Sequence, residues 1–187
     1  PESNQNLLPV TCKRLLDNQP QRSFELLPLA EIKPGDCILV QAGETIVVHA
    51  AAGGVGLFIA QWAAHLGVRV IGVVGSEEKA EMAKANGCQH VLLSSDPDIP
   101  NRVRSLTGGR GVPVVFDSVG KDTFDLSLRC LRPRGLMVSY GSSSGSVPPL
   151  DIFTLNRLGS LSVTSAAFAW FVPNREELLM RAADVVD

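Results

Sequence analysis

From Thr45 onward the chain alternates between short β-branched, apolar runs and segments that are helical or punctuated by glycine. The runs fall at 45–50, 69–74, 89–93, 113–117, 135–140 and 160–164. Stretches such as Val112-Pro113-Val114-Val115-Phe116 show no polar alternation, the pattern of a strand covered on both faces. Six such strands with intervening crossovers predict a doubly wound, six-stranded parallel sheet of the α/β class. Right-handed crossovers then bring every strand's carboxyl end to one rim.

Helix signals fit between these strands. A helix over Leu57–Leu66 is stopped by Gly67, and one over Glu77–Asn86 starts after Ser76 and stops at Gly87, following N-cap and C′ preferences. Asn174 opens a last helix, Arg175–Asp187, and a chain that ends inside a helix is expected to be C-terminally truncated. Residues 1–42 differ: they are rich in Asn, Gln and Pro, with only Lys13–Leu16 briefly helical, and read as a linker or the remnant of a preceding domain. Within them a turn at Lys33–Asp36 leads into Cys37–Ala42. That run looks like Thr45–Ala50, which predicts a hairpin or a local duplication.

Composition narrows the function. The 187 residues carry a net charge of −2 with 19% charged positions, so binding to nucleic acid through phosphate neutralisation is not expected. Hydrophobic residues at 45% against 5% aromatics suit one compact α/β core. Thr45–Val68 lacks Asp, Glu, Lys and Arg and is long enough to mimic a membrane span. Gly53, Gly54 and Gly56 in its middle and three polar positions, His49, Gln61 and His65, divide it into strand, turn and helix instead. Cys12, Cys37, Cys88 and Cys130 are too far apart for a zinc knuckle or a redox pair, and suit reduced thiols in the cytoplasm. The three histidines show no metal-ligand spacing.

The strongest chemical signal is Val48-His49-Ala50-Ala51-Ala52-Gly53-Gly54-Val55-Gly56. A glycine turn at a helix start lets backbone N–H groups and the helix dipole meet a pyrophosphate, here through Gly53, Gly54 and Val55. Ala51 stands where the first glycine of a strict G-x-G-x-x-G would be. In its strand-turn-helix context the motif predicts a Rossmann-type dinucleotide site. About 20 residues on, an NAD site places an acid at the end of the second strand. Here that strand ends Val73-Val74-Gly75-Ser76, and Lys79 follows in the first helical turn, where a cation opposes the helix dipole. Gly75, Ser76 and Lys79 are therefore expected to hold the 2′-phosphate of NADP(H); the competing reading is a solvated lysine balanced by Glu77 and Glu78. The loops Asp117-Ser118-Val119-Gly120 and Tyr140-Gly141-Ser142-Ser143-Ser144-Gly145 lie at the same rim, facing the nicotinamide half. For Asp117 a capping or turn role is expected over a catalytic one.

The runs VHAAAGGVG, GVVGSEEKAEMAKANG, GGRGVPVVFDSVGKDTF and CLRPRGLMVSYGSSSG resemble the nucleotide-binding domain of the zinc-independent NADPH:quinone oxidoreductases of the medium-chain dehydrogenase/reductase superfamily, over about Gly43 to Asp187. The resemblance implies hydride transfer from NADPH to a quinone bound between this domain and an N-terminal GroES-like domain. It also implies pyrophosphate on the glycine turn, the 2′-phosphate on Gly75 and Lys79, and the nicotinamide beside Tyr140, Gly141, Ser142 and Ser143. Ser94 stands where family members place a tyrosine near the adenosine phosphate, and Ser142 where an asparagine is common. Leu8–Thr11 is similar to the segment joining the two domains, and the Gly43-Glu44 neighbourhood reads as an insertion or join.

Three functions follow. The first is the cofactor domain of an NADPH:quinone reductase, the second an enoyl or alkenal reductase of the same superfamily, the third a non-catalytic NADP(H)-binding fragment. No catalytic acid or base and no metal ligand is expected. The uncharged run Ser160–Thr164 is expected at the sheet edge, where it could pair with its copy in a homodimer.

Overall fold

The computed structural model describes residues 40–186. Six strands form one sheet: β1 (Thr45–His49), β2 (Arg69–Val74), β3 (Cys88–Leu93), β4 (Val112–Asp117), β5 (Leu131–Ser139) and β6 (Ser162–Ser165). Their spatial order is β3-β2-β1-β4-β5-β6, and every pairing is parallel. Between them run the helices α1 (Gly54–His65), α2 (Glu77–Ala85), α3 (Ile99–Leu106), α4 (Phe124–Cys130) and α5 (Ile152–Arg157), followed after β6 by α6 (Phe168–Phe171) and α7 (Arg175–Val186). The doubly wound sheet expected from the apolar runs is the one observed.

The two faces hold separate cores. On one, Ile46 and Val48 of β1 pack with Ala60 and Ala63 of α1 and Ala80 and Ala83 of α2. On the other, Val47 packs with Ile99 and Val103 of α3 and Phe124 and Leu128 of α4. Alternate residues of one strand serve opposite cores, so β1 is buried throughout. Alanine dominates the α1 and α2 contacts, which brings those helices close to the sheet. Gly87, at φ +104°, closes this layer, because a Cβ there would lie 2.8 Å from the Ala60 carbonyl.

Several boundaries moved. α1 begins at Gly54, not Leu57, because Gly53 itself takes the N-cap conformation at φ −81° and ψ 166°. β5 starts at Leu131, where α4 passes directly into the strand, and ends at Ser139, leaving Tyr140 in the loop. β6 starts two residues later than the apolar run at Ser160 and is the sheet edge. β1 has β2 on one side and β4 on the other, which leaves no free edge for Val40–Ala42 to pair with it as a hairpin; Cys37–Leu39 lie outside the described residues. Val40–Glu44 forms a turn, with Gly43 at φ +85°, and not a strand. The linker reading, the short helix at Lys13–Leu16 and the turn at Lys33–Asp36 fall, through residue 39, outside the described residues. Among the described residues no helix is long and apolar enough to cross a membrane.

Candidate functional site

The strand order reverses between β1 and β4, and the loops leaving their carboxyl ends flank that point. Along this rim the strand ends present Ser94 after β3, Gly75 and Ser76 after β2, the glycine turn after β1, Ser118 after β4, and Tyr140 after β5. Four strand spacings of about 4.8 Å separate the first from the last, roughly 19 Å in all, the reach of an extended dinucleotide. The candidate residues, scattered from 53 to 143 in sequence, thus form one line.

At the centre of the line, no side chain caps α1. Its first-turn N–H groups at Gly54 and Val55 and its dipole are therefore left for a ligand, whereas the Gly53 N–H is spent on the Ala50 carbonyl at 2.8 Å. The three glycines do different work. A Cβ on Gly56 would lie 2.3 Å from the Ala50 carbonyl and 2.9 Å from the Ala51 Cα, so this glycine lets the helix pack on its own turn. A Cβ on Gly53 would meet the Ala50 oxygen at 3.1 Å, whereas one on Gly54 meets nothing within 4 Å. Gly54 is thus bare on a side that the protein leaves open, the arrangement a phosphate needs for close approach to backbone.

The adenosine end is built around α2. Ser76 caps it, its Oγ accepting from the Lys79 N–H at 3.3 Å. This local bond fixes the first helical turn, worth about 1 kcal/mol. Lys79 is exposed, and its ammonium forms no ion pair with Glu77 or Glu78 or with any other described residue. Ser94 joins the group through its N–H, which donates to the Val74 carbonyl at 2.7 Å. A Cβ on Gly75 would lie 4.0 Å from the Ser94 hydroxyl. Gly75, Ser76, Lys79 and Ser94 therefore form one polar cluster holding an unpaired cation.

The other end is two loops zipped together. Ser143 N–H donates to the Ser118 carbonyl at 3.3 Å, Ser144 N–H to Val119 at 2.8 Å, and Lys121 N–H to Gly145 at 3.1 Å. Gly141 is required here, since a Cβ on it would lie 2.6 Å from the Ser118 oxygen. The serine-rich loop is thus a fixed wall and not a slack connector. Tyr140 packs against the core, and its Oη is buried without a hydrogen-bond partner. The Ser118 side chain approaches it without completing a bond; burial pushes the phenol above its ordinary pKa, and Ser118 offsets part of this. A buried hydroxyl lacking a partner among the described residues is costly.

Behind this wall lies a network that the sequence reading reached only at Asp117. The Asp117 carboxylate, fully buried, accepts from Val119 N–H at 2.8 Å, Gly120 N–H at 3.1 Å, Thr123 Oγ1 at 2.9 and 2.8 Å, and Ser127 Oγ at 2.6 Å. Its role is to fold the β4–α4 turn. Ser127 gives its one proton to Asp117, so the 3.0 Å contact to His49 has the ring Nε2–H donating. Burial lowers the His49 pKa, with the Asp117 charge opposing, so the ring is neutral. Ser, His and Asp are present, but serine sits in the middle of the chain and donates to the acid. This ordering cannot activate a serine nucleophile. Thr123, six residues after Asp117, was legible as a turn partner; the His49–Ser127 contact, 78 residues apart, was not.

The remaining titratable candidates are inert. Burial raises Cys88 to about 11 and Cys130 to about 12, so both stay protonated thiols. Among the described residues no three of His, Cys, Asp and Glu could hold a metal ion together.

A glycine turn into an uncapped helix at the switch point of a β3-β2-β1-β4-β5-β6 parallel sheet defines a Rossmann-type dinucleotide-binding domain. The chain belongs to the zinc-binding dehydrogenase family, whose model matches residues 54–183. It is 46% identical over 146 residues to a quinone oxidoreductase of Pseudomonas aeruginosa, covering 78% of this chain and 45% of that protein. It is also 46% identical over 149 residues to a 2-haloacrylate reductase of a Burkholderia species, covering 79% of this chain and 42% of that one. The structure of the Escherichia coli quinone oxidoreductase complexed with NADPH superposes with a TM-score of 0.75 at 44% identity, over 78% of this chain and 45% of that chain. The chain thus spans under half the length of these relatives. Although the family's description names zinc, the described residues offer no ligand set for it.

Proposed function

We propose that this chain is the NADPH-binding domain of a quinone oxidoreductase, the half of a two-domain enzyme that holds the hydride donor. The observation that carries this reading is the pairing, on one rim, of the uncapped α1 terminus beside bare Gly54 with the unpaired ammonium of Lys79. The first fits a pyrophosphate and the second a 2′-phosphate, and the relatives of known structure include an NADPH complex.

In this reading the first-turn N–H groups of Gly54 and Val55 hold the pyrophosphate, and Gly53, whose own N–H donates to the Ala50 carbonyl at 2.8 Å, shapes the turn beneath it. Gly75, Ser76, Lys79 and Ser94 surround the 2′-phosphate, with the ammonium supplying the charge. Ser118, Tyr140, Gly141, Ser142 and Ser143 form the wall against the nicotinamide, with the Tyr140 ring packed against the core behind it. When bound, NADPH supplies the hydride; the protein supplies position and electrostatics, and no residue of this chain is needed as acid or base. Val55 and Phe58, 58% and 54% exposed on the first turns of α1 beside the glycine turn, offer apolar surface that suits a flat quinone. The β6 edge, paired among the described residues only with β5, supports a homodimer in which the strand meets its copy, and buried reduced thiols fit a cytoplasmic setting.

The 46% identity to a 2-haloacrylate reductase favours one second reading, reduction of an activated double bond. Assaying NADPH oxidation by the whole enzyme with a quinone panel and an enone and haloacrylate panel separates them. Turnover with quinones supports the proposal, whereas turnover confined to activated alkenes replaces it.

A further inference from the structure

The opposite, amino-terminal rim of the sheet carries a cavity of about 360 Å³, lined by residues at the starts of β1, β2, β4 and β5. Among the described residues three arginines line it, Arg69 at the head of β2, Arg110 before β4 and Arg132 at the head of β5, against one carboxylate, Glu44. We infer that this cavity is a second anion site that takes a phosphate dianion, free or as the phosphomonoester of a small molecule.

The three guanidinium groups are each held by one contact. Arg69 donates through one nitrogen to the Gly43 carbonyl at 3.0 Å, Arg110 through Nε to the Thr107 carbonyl at 3.3 Å, and Arg132 bridges Glu44 Oε1 at 3.0 Å. Each contact fixes a side chain that would otherwise lose much rotamer freedom on binding. A guanidinium has five N–H donors in a planar fork matched to phosphate, and one contact apiece leaves most of them without a partner among the described residues. Three positive charges against one negative leave an excess of two, the charge of a phosphate dianion. Gly108, with nothing within 4 Å of a built Cβ, leaves the wall open for close approach. If the arginines served only the carbonyl end of α3, Arg110 alone would suffice, because Arg69 and Arg132 reach other segments. The cavity lies across the sheet from the nucleotide rim, so the two sites can be separated by mutation.

Titrating the 187-residue chain by calorimetry with inorganic phosphate and with glycerol 3-phosphate tests this. Saturable binding is expected that persists in Lys79→Gln, weakens about tenfold in Arg110→Gln and weakens further in the Arg69→Gln/Arg110→Gln pair. Tighter binding of glycerol 3-phosphate than of phosphate marks a phosphomonoester as the ligand; the reverse order marks the free ion. Phosphate should also slow phenylglyoxal modification of Arg69 and Arg110 in the unmutated chain, but not of exposed Arg175. That second readout does not depend on any variant folding. Absence of saturable binding, binding lost in Lys79→Gln but kept in the arginine pair, or no protection of Arg69 and Arg110 would each overturn the inference.

Discussion

The methyl group of Ala51 occupies the space that Gly72 leaves open. A Cβ on Gly72 would lie 2.9 Å from the Ala51 Cβ and 2.9 Å from the Cys88 sulfur. Alanine can thus stand at the first position of the glycine turn because the neighbouring strand carries a glycine. Gly72→Ala should lower stability by about 1–3 kcal/mol through overpacking. Adding Ala51→Gly should recover part of that loss, and denaturant unfolding of the four species in a double-mutant cycle measures the coupling. Strictly additive effects would contradict the contact.

Gly54 and Gly56 separate binding from folding. Gly56→Ala forces a backbone shift against the Ala50 carbonyl and should lower stability by about 1–3 kcal/mol. Gly54→Ala meets no protein atom, so its unfolding midpoint should stay near that of the parent while NADPH affinity falls about tenfold or more. Thermal melts with and without NADPH compare the two variants.

His49 gives stability a pH dependence. Its folded pKa is held below the ordinary 6.5 by burial, against the opposing Asp117 charge. Below that value the unfolded chain takes up a proton that the folded chain refuses, so stability falls as pH drops from about 6.5. His49→Gln keeps an N–H donor for Ser127 and removes the titration. The stability difference between pH 7 and pH 5 should therefore be smaller in the variant than in the parent, read from urea midpoints.

Cys88 and Cys130, pushed up to about 11 and about 12, should resist iodoacetamide at pH 8 in the folded chain and react once urea unfolds it. Peptide mapping by mass reads the two sites individually. Fast labelling of either in the native state would contradict the burial.

The parallel sheet was legible because the central runs Ile46–Val48, Val70–Val74 and Val112–Phe116 of β1, β2 and β4 show no polar alternation, and such runs fit a sheet covered on both faces. The line of site residues was legible because each sits at a strand's carboxyl end, where topology decides position. Helix starts were less so: Gly54-Val55-Gly56 has poor helix propensity, and tertiary packing on Ala50 overrides it. The likeness of Cys37–Ala42 to Thr45–Ala50 does not make a strand of Val40–Ala42, since local similarity says nothing about which strand edges are already occupied. The His49–Ser127–Asp117 chain and the arginine cavity both assemble residues from distant strands, and no local pattern announces them.

Lys79 carries the most specific part of the functional account, so its most direct test compares the two nicotinamide cofactors. Titrating the chain with NADPH and NADH, followed by cofactor fluorescence, should show NADPH binding at least tenfold tighter, with the preference lost in Lys79→Gln and NADH affinity unchanged. No NADPH binding, or NADH binding as tightly as NADPH, would contradict it.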